Sequence, residues 1–405
     1  MAIRERLARQ IPGVTKYQND LAASHSIFGA DFRDRGRPEE ALVAFAKSIE
    51  IRQRLVGIEP TNTHYQEGLA NDYSNVAELY VNSRRREEAL DAFTAALEIR
   101  ERLSRGEPMD TELGDDLART YDHIGQFHHR TNPDEALAAY KRALEIREQL
   151  ALEHPMNLEF AVYRAGINVN MGHLYADQLD QLQSAISSYS VGLDVLNSVL
   201  EGAPQHSIAR FFARNGYSGR ARAYRTLGQW DNSAADWASA TEFAEGDRLN
   251  LFRVNRAIAL ARGNRHREAF QEANNIVVGA DSSASKPSPG VLYNAATAMA
   301  LASVAAFHDN DVDGSQQQFL SDKYATRAVE TLQVVADQGL FSTAESREHF
   351  DQDSSLNSLR ERADFQQLLE QLDMGPCCID FSVSASLRLA SSGTEVGSAL
   401  SPRLR

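Results

Sequence analysis

Three groups of residues in this chain have types and spacings that could do chemistry. The stretch DNDVDG sets Asp309, Asp311 and Asp313 at alternate positions before Gly314, as in the opening of a calcium loop. Such a loop closes on a bidentate glutamate at its twelfth position, which here is Leu320. His123, His128 and His129 could ligate a transition metal, but a spacing of five between His123 and His128 does not align them on one helix face. Cys377 and Cys378 are the only two cysteines and are adjacent, which is neither a disulfide framework nor a zinc spacing. Walker, HExxH and GxSxG motifs do not occur. The acidic stretch therefore reads as a solvated loop, the histidines as core or half-buried side chains, and the cysteines as free thiols. No metal, cofactor or catalytic group is expected.

The bulk composition narrows the class. The chain has 405 residues, 42% hydrophobic and 24% charged, with a net charge of −14. That charge disfavours nucleic acid, whose phosphates select basic surfaces. No apolar run approaches the roughly 20 residues of a membrane helix, so no membrane partner is expected. Two cysteines and no secretory signal point to a reducing, cytoplasmic setting.

The elements that would position any site announce themselves by repetition. Prolines 12, 60, 108, 155 and 204 are spaced by 48, 48, 47 and 49 residues. Seventeen residues after each stands Gly29, Ala77, Gly125, Gly172 or Ala221, and three further on Phe32, Tyr80, His128, Tyr175 or Tyr224. A second small site follows at Ala41, Ala89, Ala136, Ala185 and Ser233, with Phe45, Phe93, Tyr140, Tyr189 and Trp237 four residues later. Only the gap between the two small sites varies, at 12, 12, 11, 13 and 12 residues. A turn tolerates an extra residue, whereas a packed helix would rotate its apolar stripe by about 100°. The pattern therefore predicts two packed helices per unit, joined by a turn in the gap. In the repeated phrase EIRERL the isoleucine and leucine are expected to face inward and the Arg–Glu–Arg run to face water.

Small–x–x–aromatic followed by small–x–x–x–aromatic–x–x–small resembles the tetratricopeptide repeat (TPR), with helices lengthened to give 47–49 residues per unit. The longer unit, with GRPEEAL in its turn, together with LYNAATAMALA, YATRAVETL and LRERADFQQLLEQL near the end, is similar to the non-catalytic C-terminal half of certain bacterial Ser/Thr protein kinases. No glycine-rich phosphate loop, HRD or DFG motif accompanies it, and FRDRG at Phe32–Gly36 reads as a hairpin turn. The resemblance implies an all-α solenoid. Residues 1–19 would be a partial repeat, 20–277 an array of about six hairpins, 278–290 a linker, 291–373 a helical C-terminal module and 374–405 a disordered tail. Ile3, Leu7 and Ile11 are expected to face an earlier helix, so either a partner covers them or the chain belongs to a longer protein.

In such arrays the first helices line a concave groove. The corresponding stripe holds Asn71, Ser74 and Glu78 in the second unit and Arg119, Asp122, Gln126 and His129 in the third. It continues with His173 in the fourth and Asn215, Arg222 and Arg225 in the fifth. The lysine–asparagine clamp that some relatives use for a terminal carboxylate is not recognisable. The function so implied is a non-catalytic interaction scaffold or sensor of a kinase signalling system, with a protein or peptide in the groove and a kinase domain in cis or in trans as a partner. The alternative is a piece of a Ser/Thr kinase whose catalytic domain lies outside this sequence.

Overall fold

A computed structural model describes residues 2–105, 111–282 and 286–373. Pro108, Cys377, Cys378 and the tail from 374 to 405 lie outside the described residues, as does part of the expected linker. The described elements are seventeen α-helices and one 3-10 turn, with no strand among them. The chain forms two compact units, Met1–Asp180 and Gln181–Arg405.

The first unit holds α1 (Ala2–Gln10), α2 (Thr15–Asp34), α3 (Pro38–Ile58), α4 (Thr63–Asn82), α5 (Arg86–Ser104), α6 (Thr111–His128), α7 (Pro133–Glu153) and α8 (Leu158–Asp177). Each helix packs on the next in sequence. The small and aromatic sites interlock as their spacing predicts. A Cβ added to Gly29 would come within 2.8 Å of the Phe45 ring, and one added to Gly125 within 2.5 Å of Tyr140. Phe45, Phe93 and Tyr140 are buried to 2% exposure or less.

In the 12-residue gaps the helix stop is built on one left-handed residue. Gly36, Arg84, Gly228 and Asn264 have φ of 70°, 59°, 70° and 64°, and they stand seven residues after Gly29, Ala77, Ala221 and Ala257. The next backbone N–H then reaches back five residues: Arg37 to the Phe32 carbonyl, Arg85 to Tyr80, Gln229 to Tyr224 and Arg265 to Leu260, at 2.8–2.9 Å. This closure satisfies a carbonyl left open by the helix end. In the 13-residue gap the left-handed residue, Asp180, comes one position later. The proline comb marks the other connection. Asn62 donates to Glu59 O, Asn157 to His154 O and His206 to Ala203 O, each closing a four-residue turn with proline second.

The second unit begins with α9 (Leu182–Gly202), α10 (Ser207–Thr226), α11 (Trp230–Thr241), α12 (Gly246–Arg262) and α13 (His266–Ser282). It closes with α14 (Pro289–Phe307), α15 (Gly314–Asp337), α16 (Ala344–Gln352), the 3-10 turn Ser354–Leu359 and α17 (Ala363–Asp373). Helix α13 runs to Ser282 and α14 begins at Pro289, so helix occupies both ends of the stretch read as linker. Helix α14 also qualifies the membrane reading: its 19 residues, with mean hydropathy 1.5, are long and apolar enough to cross a membrane. Here 72% of that apolar window is buried, and α14 packs with α13 and α15 around Phe350, Leu356 and Phe365.

The stripe expected to face an earlier helix is largely uncovered in this structure. Ile3 is 67% and Ile11 45% exposed, and Ala8 is the one fully buried residue of α1 among those described. In the repeated phrase the arginine after the isoleucine is buried in three of the four copies, Arg4 being exposed, and that arginine organises the candidate surface.

Candidate functional site

Arg52, Arg100 and Arg147 are 8%, 3% and 3% exposed. Arg4, Arg52 and Arg100 each donate to a residue twenty positions later, on the first helix of the following hairpin: Ser24 Oγ, Asp72 Oδ2 and Thr120 Oγ1. In the fourth copy that offset falls on Ile167. Arg147 turns instead to the Asp115 carboxylate and stacks 5.0 Å over the Tyr163 ring. The side chain thus passes from a second helix between neighbouring first helices. Gly68 makes room for Arg52, whose Nε would lie 2.6 Å from an added Cβ. The Gly68 carbonyl accepts from the same guanidinium at 2.9 Å. Burial holds the Asp72 carboxyl above its ordinary range, and the Arg52 charge and the Ser26 hydroxyl offset part of that shift. A parallel set of bonds sits one position on: Gln53 Nε2 to Tyr73 Oη at 2.6 Å, Tyr121 Oη to Glu101, and Tyr217 Oη to Asn197 Oδ1 at 3.0 Å.

Arg100 anchors two of the stripe residues, Asn71 and Ser74. It donates to Asn71 Oδ1, to Ser74 Oγ at 2.6 Å and to Asp116 Oδ2 at 3.4 Å. Desolvation, with repulsion from Arg119, lowers its pKa to about 9. Asn71 and Arg119 are exposed, and Arg119 pairs with Asp116. Glu78 lies 3.8 Å from Arg33 Nη1 and 3.8 Å from His123 Nδ1, and Arg33 also donates to Asn75 at 2.9 Å. Asp122 accepts from Gln126 Nε2 at 3.0 Å and from Asn170 Nδ2 at 3.1 Å, so it ties α6 to α8. Desolvation raises its carboxyl to about 6. In the first unit Asn71, Ser74, Glu78 and Asp122 of the expected stripe are therefore engaged in interhelical contacts, which hold these side chains in place. His129 departs from the surface reading. It is buried, burial lowers its pKa, and its Nε2 has no partner. His173 is half-buried on α8.

In the second unit Asn215 and Arg222 are half-buried and Arg225 exposed, all on α10. Arg220, one turn away, is held by Asp236 through two bonds of 2.7 and 2.8 Å. Arg33, Arg100, Asp116, His123 and Asn170 were not in the expected stripe. The twenty-residue offset between arginine and polar partner is the sequence signal that finds Arg100, through its bond to Thr120.

The acidic loop and the histidines take structural roles. Asp313 caps α15 by accepting from the backbone N–H groups of Ser315 and Gln316, and Asp309 lies 2.9 Å from His266 Nε2. His128 Nε2 is 3.3 Å from Glu135. Among the described residues no group of His, Cys, Asp and Glu could hold a metal ion.

Comparison with known proteins gives a family for part of the chain. The sequence model of the tetratricopeptide repeat matches residues 18–62 and 73–104. No curated protein matches in sequence. Similar solved structures include BtubC (BKLC) from P. vanneervenii, 16% identical over 62% of this chain and 94% of that one, TM-score 0.43. A signal transduction ATPase with a tetratricopeptide repeat sensor from Pyrococcus horikoshii is 15% identical over 82% of this chain, TM-score 0.49, and this chain spans 46% of its length. A tetratricopeptide repeat protein from Parabacteroides merdae is 16% identical over 75% of this chain and 99% of that one, TM-score 0.35. The described residues of this chain form an all-α array of helices, and residues 18–62 and 73–104 match the tetratricopeptide repeat.

Proposed function

We propose that the chain is a non-catalytic scaffold that binds a protein or peptide along its first helices. The observation that carries this reading is the fixing of polar side chains on α4 and α6. Asn71 and Ser74 are held by Arg100, Glu78 lies between Arg33 and His123, and Asp122 is tied to Gln126 and Asn170. A surface whose rotamers are already set loses less entropy when a partner docks. The long repeat unit and the GRPEEAL-type turns support a finer reading: the chain serves a Ser/Thr kinase signalling system in the cytoplasm, with a kinase domain in cis or in trans.

Affinity capture with the full chain tests both levels. The expected result is an identified partner that is lost with Asn71→Ala/Arg119→Glu and retained with Arg54→Ala on α3. A protein kinase or its substrate among those partners supports the finer reading. Retention of every partner by the double variant would count against these helix faces as the binding surface.

A further inference from the structure

Helix α10 carries Arg210, Arg214, Arg220, Arg222 and Arg225 and no Asp or Glu. Two of the five are accounted for. Arg210 donates to the carbonyls of Pro204 and Glu242, and Arg220 is paired with Asp236. Arg214, Arg222 and Arg225 have no acidic partner among the described residues. Arg214 stacks on Phe211 at 5.3 Å, and desolvation, then the charge of Arg248 on α12, disfavours its cation. Desolvation, and then the Arg222 charge, likewise disfavour the Arg225 cation. Arg214, Ser218 and Arg222 recur at steps of four and Arg225 follows three later, so they form one stripe on one face. The nearby carboxylates do not answer it: Asp236 is taken by Arg220, and Asp247 is exposed at the start of α12.

We propose that this stripe, with Arg248 beside it, is the docking surface for an acidic peptide segment of a partner protein. The inference rests on the scaffold reading above and names the partner's chemistry. Like charges held together and partly desolvated are unfavourable in the free protein, and a carboxylate-bearing chain removes that penalty. The contrast with the first unit supports the choice, because there Arg33, Arg100 and Arg147 already face carboxylates or amides. From Arg214 to Arg225 the helix rises about 16 Å, the reach of about five residues of extended chain. In a protein of net charge −14, a run of unmatched arginines is the feature to which an acidic partner is complementary.

The test uses the full chain and a fluorescein-labelled peptide alternating Glu and Leu, with a Gln-for-Glu counterpart and an oligothymidine strand. Fluorescence anisotropy should show the Glu peptide binding at least about tenfold more tightly than the Gln peptide, with affinity falling as salt rises. Arg222→Gln/Arg225→Gln should cost about tenfold or more, and Arg54→Gln on α3 should leave binding unchanged. Equal binding of the Glu and Gln peptides overturns the acidic assignment and leaves the general scaffold reading standing. Tighter binding of oligothymidine, binding that survives the double substitution, or no binding of either peptide overturns it too. The partner-capture experiment remains the separate test of the scaffold.

Discussion

A buried arginine is costly unless hydrogen bonds and charge compensate it, and Arg100 shows both the cost and the compensation. Its pKa is lowered to about 9 by desolvation, yet it reaches Asn71, Ser74, Thr120 and Asp116. Arg100→Ala should destabilise the chain by about 2–4 kcal/mol, because it strips partners from buried polar groups. Arg54→Ala, at an exposed arginine bonded only along its own helix, should change stability by under about 0.5 kcal/mol. Chemical denaturation of both variants checks the pair. Asp122 gives a pH signature. Its carboxyl, raised to about 6 in the folded state, adds stability below the unfolded value near 4. That contribution is lost as pH rises to 6. Asp122→Asn should therefore flatten the stability profile between about pH 4 and 6, since the Gln126 amide can turn to suit the new side chain. Reading EIRERL as a solvated charge run missed these arginines because their bonds span twenty residues, whereas local charge patterns are judged at spacings of three and four.

At the scale of the element, the small and aromatic sites and the turn were legible because each recurs at constant spacing. Gly125 against Tyr140 is the packing that the period implied. The origin of the 12-residue gap was not legible, since a left-handed residue can be glycine, as at Gly36, or arginine, as at Arg84. A Cβ at Gly36 would meet nothing within 4 Å. Gly36→Ala should thus cost about 1–2 kcal/mol from backbone strain alone, and a thermal melt would show it. Phe93→Ala should cost roughly 3–5 kcal/mol, for Phe93 is 2% exposed and lies against Phe127 and His123 with ring centroids 6.3 and 5.9 Å away. Ile3 on α1 is 67% exposed, on the face that the period turns toward an earlier helix, while α1 packs on α2.

For the whole molecule, stability should follow nearest neighbours, as in stacked repeats. In Phe93→Ala, hydrogen exchange should quicken in α4 to α7 and stay unchanged in α14 and α15, whose core gathers around Phe350 and Phe365. A uniform loss of protection would mean one cooperative unit. The central claim is that partners meet the first helices of the hairpins, and site-specific photo-crosslinking tests it most directly. A photoreactive residue placed at Asn71 on α4 or Arg225 on α10 should capture partner proteins in cells. The same residue at Arg54 on α3 or Arg142 on α7, both exposed on second helices, should not. Capture from Arg54 and Arg142, with none from Asn71 and Arg225, would contradict the account.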